Sequence, residues 1–315
     1  MRKIFAFSVA LMFIFTVGCK GQSEGCEDTL NSPCSEEASA EVYSETSCFS
    51  SALSSASSSA PSSPASSSSY TPPPSKPSAA IAPSKYDVFE NKKKGWGQGN
   101  QKDGENRPVS CDFYQGKFAD FQSLFIMPRE EPKIYLTFDE GYENGYTSNI
   151  LDTLKKKNCP AVFFVTMDYV KQNKSLVERM IAEGHTLGNH SVHHKSMPTL
   201  SASKMILEIA ELHDYVLLNF GVSMNLFRPP MGEWSERSLA VTRDLGYKSV
   251  FWSYAYLDYD TDHQMGVEKA FPRVTNAAHN GAIYLLHAVS SDNAAMLGDV
   301  IDNFRTKGFS LEAIK

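Results

Sequence analysis

Several things are scarce in this sequence, and each scarcity excludes something. Beyond the first twenty residues no apolar run is long enough to cross a bilayer, which takes about 20 residues, so a multi-pass membrane protein is excluded. Positive charge is not in excess. Thirty Lys and Arg against 36 Asp and Glu give a formal net charge of -6 and no electrostatic footprint for nucleic acid. Large apolar side chains are nearly missing from residues 35–86, a stretch of mostly Ser, Ala and Pro that cannot bury enough surface to offset its chain entropy. What can fold runs from Trp96 to the C-terminus, roughly 220 residues, which suits one sizeable domain. Cysteines number only six, and the spacing of Cys26, Cys34 and Cys48 matches no compact metal pattern. Cys159, before Pro160, reads as a buried apolar side chain.

The chain opens MRKIFAFSVALMFIFTVGC, which reads as an export signal. Arg2 and Lys3 form a positive start, and Ile4 to Val17 form an apolar stretch of about fourteen residues, of signal-peptide length and short for a span. The ending Thr16-Val17-Gly18-Cys19 is similar to a bacterial lipobox, with Thr where Leu is usual. Residues 1–18 are therefore expected to be a lipoprotein-type signal peptide and Cys19 to carry the lipid, anchoring the chain on the outer face of the cytoplasmic membrane. Cys26, Cys34, Cys48, Cys111 and Cys159 then remain, an odd number that fits no complete intrachain disulfide framework. Residues 19–95 are expected to be a disordered low-complexity linker. Its Ser/Pro tract of about 40 residues would span roughly 35 Å as a coil and about 120 Å as polyproline. That reach would let an anchored domain sample the wall above it; a polar spacer with no further role is the alternative.

From Ile134 the periodicity switches between short apolar runs and amphipathic segments. Strands are expected at 134–138, 161–166, 186–189, 226–228, 248–253, 282–287 and 309–314. Helices are expected at 147–157, 175–184, 201–220, 235–245, 265–278 and 292–307. Such alternation argues for a parallel α/β sheet covered by helices, and both a barrel and an open doubly wound sheet fit it. The polar residues fall in one place. Asp139 and Glu140, His190 and His194, Arg228, Asp258 and His287 each lie at or just beyond the C-terminal end of an expected strand, where barrels and open α/β folds build their chemistry.

Each of these has a bland reading and a chemical one. The segment His190-Ser191-Val192-His193-His194 is a His-rich surface loop, or a pair of imidazoles four residues apart that reach one ion if the segment turns helically. Imidazole ligands suit Zn and its first-row neighbours rather than Mg or Ca. Asp139 and Glu140 are a solvated acidic turn, or a metal ligand beside a general base. His287 is a satisfied core histidine, or, with Asp258 favouring its charged form, an acid able to protonate a leaving amine. Arg228, stiffened by Pro229 and Pro230, makes a surface ion pair or braces a catalytic carboxylate.

Taken in order, TFDEG (137–141), HSVHH (190–194), RPPMG (228–232), WSYAYLDY (252–259) and YLLH (284–287) resemble the five motifs of NodB-type polysaccharide deacetylases, carbohydrate esterase family 4. The resemblance covers nearly all of 134–314. It implies a distorted (β/α) barrel over residues 131–315, preceded by an extension over 96–130 that packs on it. It implies Asp139 as general base, His190 and His194 as ligands of one divalent metal (Zn, with Co or Mn as alternatives), and Arg228 as a brace for the carboxylates. Asp258 would tune His287, the general acid. Met231, whose backbone N–H would help hold the oxyanion, Tyr259 and Leu285 would contact substrate. The reaction implied is hydrolysis of an N-acetyl group, with release of acetate and a sugar amine. The chain departs from the family at Glu140, where an Asp usually provides the third metal ligand, at Ala255, where an Asp is usual, and at Tyr259, where a Trp is usual.

A narrower resemblance rests on GYENGYT (141–147), KGWG (94–97), FRPPMGEWSE (227–236), VFWSYAYLDY (250–259) and GAIYLLHAVSSDNA (281–294), which look like the delta-lactam-biosynthetic de-N-acetylases. That subfamily implies action on N-acetylmuramic acid in peptidoglycan strands after an amidase has removed the stem peptide, lactam closure in spore cortex, and a Gram-positive, spore-forming source. A monomer is expected. The rival readings are a deacetylase of N-acetylglucosamine in peptidoglycan or a chitin-like glycan, and a non-catalytic glycan-binding lipoprotein disabled at Glu140.

Overall fold

Eleven short strands and eight α-helices occupy residues 82–315, the part of the chain that the computed structural model describes. The readings that concern the signal segment, Cys19, Cys26, Cys34, Cys48 and the Ser/Pro tract lie outside the described residues. No helix among the described residues is long and apolar enough to cross a membrane.

The sheet is built around β3 (Lys133–Glu140), which carries parallel β4 (Val162–Val165) on one side and β10 (Ala282–His287) on the other. Its side chains alternate between two apolar regions, as strand geometry requires. Tyr135 joins Val162, Phe164, Leu226, Val250 and Ile283 in an interior cluster, while Ile134, Leu136 and Phe138 join the larger cluster shared with the helices. Next to β4 come β5 (Thr186–Asn189), β6 (Leu226–Phe227), β8 (Lys248–Val250) and β2 (Ser123–Leu124); beyond β10 comes β9 (Tyr254–Ala255). All neighbours in this sheet are parallel, and β11 (Ser310–Leu311) adds to the start of β3.

The expected strand over 248–253 is two strands, and the difference carries the architecture. β8 and β9 belong to opposite ends of the strand order, yet only residues 251–253 separate them. Three residues reach about 10 Å, so the sheet must curl until its two ends nearly meet. Phe251 N–H donates to the Leu124 carbonyl on one side of the seam, and Ser253 N–H to the Ile283 carbonyl on the other. The result is a curled, half-barrel parallel sheet with helices outside it: the distorted (β/α) barrel.

The helices form where apolar spacing and caps agree. In α2 (Thr147–Lys156) the buried face is Thr147, Ile150, Leu151 and Leu154. In α5 (Ala202–Phe220) the Ser201 side chain accepts the Lys204 N–H, and Gly221 ends the helix in the left-handed conformation at φ 69°. Two helices were not expected: α1 (Val109–Lys117), and α3 (Met167–Gln172), which is capped by Thr166 and precedes α4 (Lys174–Ala182). The other helices are α6 (Glu236–Asp244), α7 (Val267–Thr275) and α8 (Ser291–Thr306).

The linker reading needs correction at its C-terminal end, which was set at residue 95. A 3-10 turn over Pro83–Val88 buries Tyr86 completely in the main core, and β1 (Lys94–Gly95) pairs antiparallel with β7 (Glu233–Trp234). Two such local anchors are invisible to a compositional argument because each rests on one or two residues. Further along, Phe118, Phe125 and Ile126 form a cluster with Trp234, Leu239 and Phe251, so the segment before β3 is packed against the barrel.

Candidate active site

Strand register brings the polar residues together before any side chain is considered. Asp139 of β3 is directly opposite His287 of β10. Val165 is opposite Asn189, and Asn189 opposite Phe227, so the residues that follow, His190 and Arg228, emerge at the same rim. Asp139 follows Tyr135 and Thr137 on the interior face. There its Oδ1 accepts a hydrogen bond of 2.7 Å from Arg228 Nη1. Arg228 is completely buried, stacks over the Phe164 ring at 4.1 Å and donates through Nε to the Val250 carbonyl at 3.2 Å. Gly188 makes that stack possible, because a Cβ there would lie 2.3 Å from the Phe164 ring. Burial works against ionisation of Asp139, but Arg228, His190 and His287 outweigh it and hold the carboxyl below its ordinary range.

The loop after β5 does not turn helically as the four-residue spacing suggested. Ser191 and His194 both adopt left-handed backbone, φ 72° and 52°. The Asn189 side chain accepts from Ser191 N–H, and the Ser191 hydroxyl accepts from His194 N–H, both at 2.9 Å. This brings the two imidazoles edge to face with centroids 4.8 Å apart. His190 Nδ1 donates to the Arg228 carbonyl at 2.9 Å, which leaves the Nε2 lone pair facing Asp139 Oδ2 at 3.5 Å. Two acceptors opposed at that distance are what a cation between them would relieve. Burial pushes His190 down to about 4 and lowers His194, so both rings are neutral, the form a metal needs. Among the described residues no three His, Cys, Asp or Glu side chains converge as a ready-made metal cage. The neutral imidazole pair is what this chain offers to a divalent ion.

Glu140 is not part of that set. Following Ile134, Leu136 and Phe138, it points to the helix side of the sheet, away from Asp139. It is completely buried beside Tyr169, Thr147 and Glu143. Burial, reinforced by Glu143 and Asp139, raises its pKa well above the carboxylate range, so it is a neutral acid in the interior. The expectation that it ligates metal fails on the two-residue period of a strand.

Asp258 grips His287 twice: Oδ2 accepts the His287 backbone N–H at 2.8 Å and Oδ1 pairs with Nδ1 at 2.7 Å. Asn293, in the first turn of α8, donates to Asp258 Oδ2 at 2.7 Å, and the Tyr256 hydroxyl fixes that amide at 2.6 Å. Burial would lower the His287 pKa, but the Asp258 hydrogen bond and charge prevail and raise it. A carboxylate held ionised can take a proton, and an imidazole held protonated can give one. Here they stand on adjacent strands of one cavity.

That cavity measures about 880 Å³ and is lined by Asp139, His190, His194 and His287 together with Met231, Tyr259 and Leu285. Arg228 and Asp258 stand behind it. Met231 is left-handed at φ 59° and exposed, and Tyr259 is exposed with its ring 5.6 Å from His287. Trp252 forms part of the wall; it packs so closely on Gly232, itself at φ 64°, that a Cβ there would be 2.6 Å from the indole. The preceding segment reaches this wall, since Trp96 Nε1 donates to the Trp252 carbonyl and Trp252 Nε1 to Gln98 Oε1. Sequence reasoning missed Tyr142, Gln98 and Asn293 as site residues. Only Asn293 carried a signal, lying six residues beyond His287 at the start of an expected helix.

A family model described as polysaccharide deacetylase matches residues 127–250. The chain is 43% identical over 195 residues to the peptidoglycan-N-acetylmuramic acid deacetylase PdaA of Bacillus subtilis, covering 62% of this chain and 74% of that protein. It is 31% identical over 182 residues to the peptidoglycan-N-acetylglucosamine deacetylase PgdA of Listeria monocytogenes, covering 58% and 38%. Among solved structures, B. subtilis PdaA, a family 4 carbohydrate esterase, superposes with a TM-score of 0.68 at 38% identity over 71% of this chain and 96% of that one. A family 4 carbohydrate esterase from Bacillus anthracis gives 0.59 at 36% identity over 71% and 95%.

Proposed function

The chain belongs to the polysaccharide deacetylases, family 4 of the carbohydrate esterases, and from that premise we propose that it removes the acetyl group of N-acetylmuramic acid in peptidoglycan. The observation that carries the chemistry is the register pair Asp139 and His287, two titratable groups whose surroundings push them in opposite directions. The muramate substrate rests on the 43% identity to a muramic acid deacetylase.

In this reading the glycan places one acetamido group between the two. Asp139, kept ionised by Arg228, takes a proton from the attacking water. The developing oxyanion is met by the backbone N–H of Met231, a form of stabilisation that is usually the largest single contribution in acyl transfer. His287, kept charged and oriented by Asp258, gives its proton to the departing sugar nitrogen, and acetate leaves. Tyr259 and Leu285 pack against the sugar. His190 and His194 would hold a divalent ion, zinc or alternatively cobalt or manganese, which supplies Lewis acidity when bound.

The same reading extends outward. Cys19 anchors the protein by lipid on the outer face of the membrane, the enzyme acts as a monomer after an amidase has stripped the stem peptide, and the freed amine goes on to muramic delta-lactam during sporulation. Mass spectrometry of stem-peptide-free glycan strands and of chitooligosaccharide, each incubated with the protein and zinc, tests the substrate. Acetyl loss from muramate alone is the expected result. Loss from glucosamine alone would move the substrate to the second sugar, and no loss from either would favour a glycan-binding protein.

A further inference from the structure

The cavity contains a second copy of the device that holds His287. Glu208, in the middle of α5, accepts the His193 backbone N–H at 2.8 Å through Oε2 and pairs with His193 Nδ1 at 2.8 Å through Oε1. Asp258 grips His287 in the same two-point way, backbone N–H on one oxygen and Nδ1 on the other. In both pairs the carboxylate is buried and the imidazole lines the cavity. The Glu208 side chain is 7% exposed, the His193 side chain 59%.

A surface histidine needs no such partner. Burying a carboxylate is unfavourable unless its oxygens are satisfied, and here both are spent on orienting one exposed ring. The pairing also fixes the ring. A carboxylate can only accept, so Nδ1 donates to Glu208 and Nε2 is left for a ligand. Among the described residues Nε2 has no protein partner. Thr166 and Asp168 also line the cavity, and Met231, Trp252 and Tyr259 give its wall apolar surface.

We propose that His193 is a substrate-binding residue that hydrogen-bonds a sugar hydroxyl of the glycan through Nε2, and that Glu208 is its positioning residue. A pyranose fits such a wall: its faces pack on aromatic and apolar side chains, and its rim hydroxyls need hydrogen-bond partners aimed from the side. The inference rests on the glycan reading of the cavity but not on which sugar loses its acetyl group.

The test measures glycan affinity separately from turnover. Calorimetric Kd values for stem-peptide-free glycan strands, with kcat and KM for acetate release, are compared for the wild type, His193→Ala, His193→Gln, Glu208→Gln and the Glu208→Gln/His193→Ala double variant. Bound metal is measured for each. His193→Ala is expected to weaken binding and raise KM roughly tenfold, the value of one hydrogen bond of about 1.4 kcal/mol, with kcat and metal content unchanged. His193→Gln, whose amide can take the place of Nε2, is expected to restore most of the loss. Glu208→Gln should weaken binding by itself but add nothing in the His193→Ala background. Wild-type affinity in His193→Ala would overturn the proposal, and so would a loss confined to kcat and metal content, because the pair would then serve only the loop that carries His194. A wild type that binds no glycan would overturn it as well. A wild type that binds glycan but releases no acetate would remove the deacetylase reading and leave this one to be decided by the Kd series.

Discussion

Asp139 and His287 stand side by side and have their pKa values pushed apart by different neighbours. Arg228 lowers that of the carboxyl, and Asp258, aligned by Asn293, raises that of the imidazole. Raising the pKa of an acid catalyst extends activity toward high pH, so the alkaline limb of kcat/KM belongs above the ordinary His value of 6.5. Asp258→Asn removes the charge that raises it. The limb is then expected to move to lower pH, with turnover at neutral pH falling at least tenfold; an unmoved limb in the pH–rate profile would take His287 out of the acid role. Glu140 yields a prediction of the opposite kind. Its carboxyl is neutral in the folded protein and ionises freely in the unfolded chain above about pH 4.5. Its contribution to stability is therefore complete at low pH and declines as pH rises toward the folded-state pKa. Glu140→Gln is expected to raise Tm by a few degrees at pH 8, to make little difference near pH 4, and to leave bound metal unchanged. A loss of metal in that variant would return Glu140 to the ligand set. The sequence made Asp139 and Glu140 equivalent candidates, because neither composition nor spacing says which of two adjacent carboxyls faces inward. The link from Tyr256 through Asn293 to Asp258 became visible only once α8 was seen to start beneath Asp258.

At the scale of elements, alternation, length and caps made most helices and strands legible. What they could not convey was pairing. Phe251 to Ser253 read as the end of a strand because its side chains are apolar, yet its backbone bonds to two different sheet ends and closes the curl. The short α3 escaped for a related reason. Its six residues show too little of a helical period, and it begins directly after the apolar run of β4. The HSVHH loop reached the expected encounter of two imidazoles by another route, with left-handed backbone at Ser191 and His194 in place of a helical turn. Close packing between elements makes one position decisive. Gly188→Ala forces the Phe164 ring off its place and with it the Arg228 guanidinium. We expect a loss of about 1–3 kcal/mol in urea denaturation, and a lower kcat because Asp139 loses its partner. Wild-type stability and rate would show that the stack is not needed.

At the scale of the whole molecule, the barrel and the segment before it form one working unit. Tyr86 fills the core, β1 pairs with β7, and Trp96 and Gln98 hold the Trp252 wall of the cavity. The motifs at the strand ends announced the family because a parallel barrel gathers those ends at one mouth. The N-terminal anchoring of 82–95 was not announced, since it depends on single residues within polar surroundings. Removal of divalent metal by a chelator is expected to lower acetate release more than a hundredfold and to leave the fold intact by circular dichroism, with zinc restoring the rate. Undiminished turnover in chelator would contradict a role for His190 and His194 as ligands. The most direct test of the account is acetate release from stem-peptide-free peptidoglycan strands by the wild type and by Asp139→Asn, with thermal melts alongside. A general base contributes about 10²–10⁴ in rate. The wild type should therefore release acetate, and Asp139→Asn should lose that factor while remaining folded and retaining its metal. A folded Asp139→Asn variant that turns over at the wild-type rate would contradict it.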